Sequence, residues 1–262
     1  QMSRGLGDVY KRQNDNIEIE TSSPLFGMLN SGLQFFRLKN SHPQLWDKVK
    51  WALHFPNYLH FLFTGKAVTE ITSIGCHTAM WNFEKNNYHD WLSQDGIVEK
   101  LPPIASPNRP FNRLNHVRIG PGLHDSSAAL IPYLKQFKKP FVLVSSGTWC
   151  ISLNPFATKP LTVEEMSKDC LHYLSPEGKP VKAARMFLGN EHDYQVTRLA
   201  AYFQKPGNYF EQIAISDDVL KQLVNNNKRV LPATTEGTGP FPQKHHKTWQ
   251  LDQFESFEEA YH

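Results

Sequence analysis

No two cysteines in this sequence are close enough to form a C-x-x-C pair. Three occur in 262 residues, Cys76, Cys150 and Cys170, an odd and widely spaced set. That excludes a disulfide framework and a zinc knuckle as the basis of the fold, and it fits reduced thiols in a cytoplasmic protein. Long apolar runs are also lacking. The most apolar stretch, WALHFPNYLHFLFTG (51–65), is broken by His54, Pro56, Asn57 and His60, short of the roughly 18 apolar residues of a membrane span. An excess of one charge is missing too. The 28 basic and 25 acidic residues leave a net charge of +3, and Lys and Arg are scattered rather than striped, so neither nucleic acid nor a membrane surface is the expected partner. No GxxxxGK[ST] and no GxSxG string occurs, which excludes a P-loop and a hydrolase nucleophile elbow.

What is present is a mixed α/β pattern from Asn14 onward, without repeats or low-complexity blocks. The first thirteen residues, QMSRGLGDVYKRQ, have no apolar period and are taken as a non-native, adapter-like segment. Helical spacing of Leu25, Met28, Leu29, Leu33 and Phe36 predicts a helix in SSPLFGMLNSGLQFFRLKN. Ser41-His42-Pro43 predicts a cap and a first turn for QLWDKVKWAL, with Leu45, Trp46 and Val49 on one side. NYLHFLFTG predicts a helix ending at Gly65, and its apolar residues on most faces imply that it lies deep. A Pro-rich connection follows, with Pro102, Pro103, Pro107 and Pro110, and then a strand and turn in HVRIGPG and a helix in SSAALIPYLKQF. FVLVSSGTWCISLN predicts a hairpin about Gly147-Thr148, with the glycine supplying a backbone conformation that other residues resist. Further on, TVEE has capping-box spacing, NEHDYQVTRLAAYFQ and SDDVLKQLVNNN are amphipathic helices, and TTEGTGPFP is a loop. In NEHDYQVTRLAAYFQ the expected core contacts are Tyr194, Leu199, Tyr202 and Phe203. Ser256 and Glu259 form a second capping box close to residue 262, so the chain is expected to be a fragment of a longer protein.

Asp125 is the first candidate for chemistry. An Asp ahead of SSAALI is a preferred N-cap, worth about 1 kcal/mol over Ala. Ser126 and Ser127 can serve as caps instead, and a carboxylate at a helix N-terminus stays ionised and able to accept a hydroxyl proton. Gly120 and Gly122 let the chain turn tightly and a ligand approach, and His124 adds a polar group for a polyol. The Gly147-Thr148 turn is a plain hairpin in one reading. In the other, its backbone N–H and hydroxyl bond phosphate oxygens. Glu191, His192 and Asp193 are sequential on a helix and share no face, which argues against a metal site. His245-His246 belong to a polar loop.

Taken together, GLHDSSAA (122–129) and, some fifteen residues later, VSSGTW (144–149) resemble the FGGY sugar-kinase family. Upstream, LHFPNYLHFLFTGKAVTEITS resembles that family's PDY…LTG…TD…S stretch at Pro56, Tyr58, Thr64 and Gly65, and HDWLSQDGIVEKLPPI the segment that follows. The likeness spans residues 20–160 and thins from 180 onward. It implies an α/β, actin-like (ribonuclease-H-like) two-domain fold, here incomplete. Residues 14–137 would be the C-terminal part of the first domain and 138–262 the N-terminal part of the second, with the cleft between them turning Asp125 toward Gly147-Thr148. It implies transfer of the γ-phosphate of ATP, with Mg²⁺, to a sugar hydroxyl. Asp125 would be the catalytic base, His124 a substrate contact, and Gly147 and Thr148 phosphate contacts. The His-Asp pair and SSGTW are most similar to the rhamnulose and fuculose kinase branch, and the 262 residues alone are expected to be inactive and poorly folded. Two alternatives stay open: a non-catalytic actin-like protein that binds sugar or nucleotide and regulates a partner, and a hydrolase using Ser146 or Cys150.

Overall fold

The computed structural model describes residues 17–24, 27–105, 112–228 and 250–262. The adapter-like segment, Leu25, Pro107, Pro110, the TTEGTGPFP loop and His245-His246 lie outside the described residues. The chain divides into two compact units. One holds the described residues up to Leu143 together with Ser152–Ala184, and the other holds Val144–Ile151 and Arg185–His262.

In the first unit the chain order begins with α1 (Ile17–Glu20), α2 (Ser31–Ser41), α3 (Pro43–Lys48) and α4 (Phe55–Thr64). The helix predicted across 22–40 starts late, at Ser31. Its N-cap, Asn30, does not cap through its side chain. The amide instead donates to Ser23 Oγ, Pro24 O and His77 O, so a tertiary staple sets the start. Leu33 is buried as expected, whereas Leu29 is exposed. The next start is shifted by one residue: His42 is the cap, Pro43 the first helical residue, and Ser41 still belongs to α2. Trp46 is buried and Leu45 is not.

Helix α4 ends at Gly65 in the left-handed conformation (φ 67°), a geometry that only glycine adopts without strain. Its depth differs from expectation. Asn57 and His60 are buried, while Phe55, Tyr58, Leu59, Leu62 and Phe63 are exposed. The polar face is the inward one because its two amphipathic groups bond the 120–122 turn, as described below.

Strand β1 (Thr69–Glu70) leads directly into the single turn α5 (Ile71–Ile74). Next come β2 (Trp81–Asn82), β3 (Asn87–Tyr88), α6 (Asp90–Gln94), β4 (Ile104–Ala105), β5 (Asn112–Leu114), β6 (Val117–Ile119) and α7 (Asp125–Gln136). β1 pairs in parallel with β4. The β2–β3 and β5–β6 pairs are antiparallel. Trp46, Ile74, Met80, Trp81, Trp91, Leu92 and Ile97 form the core of this unit, joined by Leu174.

The remaining elements are β7 (Leu143–Ser145), β8 (Cys150–Asn154), α8 (Val163–Ser167), β9 (Cys170–Leu174), β10 (Pro180–Met186), α9 (Leu188–Tyr202), α10 (Asp217–Asn225) and α11 (Phe257–Tyr261). The strands order as β7-β8-β10-β9, with Val181 opposite Tyr173 in the antiparallel β9–β10 pair. The Thr162–Glu165 capping box forms with both of its bonds. At α11 only half of the predicted box forms. Ser256 accepts from Glu259 N, but the Glu259 carboxylate takes the N–H of Glu255. In the second unit Leu199, Ala200 and Phe257 make a small core with Phe203, Tyr209 and Phe210. Tyr202, expected inside, is exposed.

Candidate functional site

The 120–125 turn is held by three hydrogen bonds from two helices before its functional side chains are considered. His60 Nδ1 donates to Gly120 O (2.7 Å) and Asn57 Nδ2 to Gly122 O (3.0 Å), both from α4. His124 N donates to Thr72 Oγ1 on α5 (2.9 Å). Gly122 lies so close to α4 that a Cβ there would sit 2.1 Å from Pro56 O. The glycine therefore serves close approach of the chain's own backbone rather than of a ligand. Gly120 has open space at that position.

Helix α7 has His124 as its N-cap, with no side-chain cap bond. Asp125 is its first residue, and the cap role weighed for Asp125, Ser126 and Ser127 falls to none of them. Asp125 Oδ1 accepts from the adjacent Ser126 N (2.6 Å) and Ser126 Oγ (3.3 Å). Ser127 turns inward to donate to Leu174 O (2.8 Å). The Asp125 side chain is 93% exposed, whereas that of His124 is 21% exposed. Their closest atoms, His124 Nε2 and Asp125 Oδ1, are 3.3 Å apart.

His124 faces a cavity of about 220 Å³ lined by Ser31, His54, Ser73, Cys76, His77 and Thr78, among others. Its Nε2 also meets Cys76 Sγ at 3.0 Å, and the same sulfur meets His77 Nδ1 at 2.9 Å. His124 Nδ1 is buried without a hydrogen-bond partner. Burial lowers the pKa of His124 below the ordinary imidazole value, against an opposing pull from Asp125. Burial, with a smaller contribution from His124, lowers His54 to about 4. The Thr72 hydroxyl that holds His124 N is in turn bound by Glu70, whose fully buried carboxylate caps α5. It accepts from Thr72 N (2.9 Å), Ser73 N (3.2 Å) and Thr72 Oγ1 (2.5 Å). Burial raises its pKa, and those three bonds oppose the rise.

Gly147 and Thr148 lie in the four-residue connection between the neighbouring strands β7 and β8, as the hairpin signal predicts. Gly147 does not have the conformation expected of it: the left-handed glycines among the described residues are Gly65, Gly96 and Gly178. Nor is it crowded, the nearest atom to a Cβ there being Trp149 O at 3.8 Å. Both Gly147 and Thr148 are exposed. The connection docks on the start of α9. Gly189 N donates to Thr148 O (2.9 Å), Trp149 stacks on Phe187 (4.6 Å, 6°), and the Arg185 guanidinium lies 5.6 Å from the Trp149 ring centre.

The other sequence candidates diverge. Glu191 is buried against Gln195, His192 bonds Tyr261 OH (3.2 Å), and Asp193 is exposed. Among the described residues no group of three or more His, Cys, Asp or Glu side chains can hold a metal ion. No described helix is long and apolar enough to cross a membrane. Cys76, Cys150 and Cys170 are free thiols. Larger cavities, of about 900, 440 and 410 Å³, lie around His172, Trp51 and Glu191 respectively. Sequence reasoning missed His54, Glu70, Thr72, Cys76 and His77. The only local trace was Cys76-His77 itself, 48 residues from its partner His124.

Residues 138–261 match the family model described as carbohydrate kinase FGGY, C-terminal domain. The chain is 30% identical over 142 residues to the rhamnulokinase of Oceanobacillus iheyensis, covering 48% of this chain and 29% of that protein. It is 28% identical over 137 residues to the rhamnulokinase of Halalkalibacterium halodurans, with the same coverage. The matched region thus spans under a third of these curated relatives. Among solved structures, a carbohydrate kinase from Novosphingobium aromaticivorans superimposes with a TM-score of 0.69 at 22% identity, covering 98% of this chain and 58% of the other. A xylulose kinase from Lactobacillus acidophilus gives 0.62 at 18% identity, over 83% of this chain and 44% of the other. The architecture is the actin-like α/β fold of these kinases, and residues 138–261 match the C-terminal domain of the FGGY carbohydrate kinases.

Proposed function

We propose that the protein transfers the γ-phosphate of ATP to a hydroxyl of a ketose such as rhamnulose or fuculose, with Asp125 as the base. The observation that carries this reading is the disposition of Asp125. Its carboxylate is almost wholly exposed, on a turn whose backbone is fixed by α4 and α5, beside a half-buried histidine. The rhamnulokinase relatives support the ketose class. The start of the family match at residue 138 supports dividing the chain there into parts of a first and a second domain.

In this reading the sugar hydroxyl donates toward an Asp125 oxygen. As its oxygen bonds to the γ-phosphorus, the bond to the β–γ bridging oxygen breaks, ADP leaves, and the hydroxyl proton passes to the carboxylate. The transition state is loose, so positioning contributes most of the rate, and the rigid 120–125 turn supplies it on the sugar side. His124 is the neutral polar contact for the sugar, since its lowered pKa keeps the ring uncharged at neutral pH. Gly147 N–H and the Thr148 hydroxyl bond phosphate oxygens, and their exposure leaves both available. Mg²⁺ supplied with ATP would neutralise phosphate charge.

The test is ADP release by the whole protein with a panel of ketoses, for wild type and Asp125→Asn. The substitution is expected to lower turnover at least about a hundredfold with little change in KM for ATP. A near-wild-type rate removes Asp125 from the chemistry. Sugar binding without phosphorylation across the panel favours a regulatory, non-catalytic protein.

A further inference from the structure

Cys76 Sγ meets two imidazole nitrogens, His77 Nδ1 at 2.9 Å and His124 Nε2 at 3.0 Å. A thiol carries one proton, so it cannot donate to both rings, and at least one imidazole must donate to sulfur. Asp125 decides which ring does so. His124 Nε2 also faces Asp125 Oδ1 at 3.3 Å, and an ionised carboxylate only accepts. A bare Nε2 would set its lone pair against that oxygen. An N–H there satisfies the sulfur and the carboxylate together. The backbone of the same histidine is pinned by Thr72 Oγ1, which donates in turn to the buried Glu70 carboxylate. One short stretch, 70–76, therefore grips His124 at the main chain and at the ring.

We infer that Cys76 is a positioning residue whose sulfur holds His124 in the Nε2–H tautomer, so that the ring donates toward Asp125 and keeps Nδ1 as a bare acceptor. That acceptor is the nitrogen left buried without a hydrogen-bond partner, on a residue that lines the cavity. It suits a ligand that brings a hydroxyl donor, as a sugar does. Burial keeps the ring neutral, and only a neutral ring has a defined tautomer. The groups facing His124 are Asp125 on its own helix, Cys76 and His77 after α5, His54 ahead of α4, and Tyr173 on β9, with ring centres 5.2 Å from His124 for Tyr173 and 6.4 Å for His77. The tautomer itself stands apart from the kinase reading, and only its effect on sugar KM rests on it.

Long-range ¹H–¹⁵N NMR correlations of the imidazole rings in the whole protein at neutral pH test the inference. The expected result is a neutral His124 protonated at Nε2 in wild type and in Cys76→Ser, where a hydroxyl replaces the thiol. In Cys76→Ala the preference is expected to fall by about tenfold, the loss of one hydrogen bond. Should the alanine variant not fold, Cys76→Val fills the same space and is read in its place. An Nδ1–H or doubly protonated ring in wild type, or an unchanged tautomer ratio in the variant lacking a polar group, overturns the inference. In the whole protein, sugar KM should rise about tenfold in Cys76→Ala with KM for ATP little changed, and recover in Cys76→Ser. A wild-type protein that phosphorylates no sugar refutes the kinase reading, while the NMR result still decides the role of Cys76.

Discussion

A single missing side chain fixes the position of the 120–125 turn. At Gly122 a methyl group would meet Pro56 O at 2.1 Å and Pro56 C at 2.5 Å, and backbone atoms cannot rotate aside as a flexible side chain can. Gly122→Ala is expected to destabilise the protein by about 1–3 kcal/mol through overpacking. Gly120→Ala, two residues away and facing open space, should change stability by no more than about 0.5 kcal/mol. Paired thermal unfolding of the two variants checks the difference. Equal effects would mean that α4 does not press on the turn.

At the scale of the element, α5 is too short to be stable by its own hydrogen bonds. It exists because Glu70 caps it, and that cap is buried. Glu70→Ala leaves the N–H groups of Thr72 and Ser73 without an acceptor, and it frees the hydroxyl that orients the His124 main chain. The expected cost is about 2 kcal/mol, at the upper end of cap losses. Glu70→Gln keeps one oxygen acceptor and should cost less. Chemical denaturation of the two variants measures this, and a larger cost for Gln than for Ala would contradict the capping role. Helix α4 teaches the converse point. Its cap at Gly65 was legible locally, but its inward face was not. Periodicity shows which residues are apolar. It does not show that Asn57 and His60 have carbonyls waiting for them on another segment.

At the scale of the whole molecule, buried histidines set a pH dependence. Burial holds His54 and His172 at about 4, below the ordinary 6.5. Between those two values the unfolded chain binds more protons than the folded one. Stability is therefore complete above about 6.5 and is lost as pH falls toward about 4, by up to about 3 kcal/mol for a fully buried ring. Glu70 acts in the opposite sense. Its raised pKa means that the folded state retains a proton, and it subtracts stability as pH rises above the ordinary glutamate value of 4.5. The histidine slope is the testable part. Urea denaturation from pH 7 to 4 should show falling stability, and His172→Gln should flatten that fall. An unchanged slope in the variant would remove His172 as a contributor.

The sequence by itself determined what is local. The Gly65 stop, the Thr162–Glu165 box, the SDDVLKQLVNNN helix and the β7–β8 hairpin each depend on residues within a few positions of one another. Two short strings, GLHDSSAA and VSSGTW, were enough to indicate the family. The tertiary structure decided what depends on distant pairs. Pro56 explains Gly122, and Asn57 with His60 explains the inverted face of α4. Thr72 and Cys76 explain the orientation of His124, and no local pattern ties them to it across about fifty residues. The physical reason is the same throughout. Caps and turns are closed by neighbours along the chain. The partner of a buried polar atom is chosen by packing, and packing is not written in the spacing of adjacent residues.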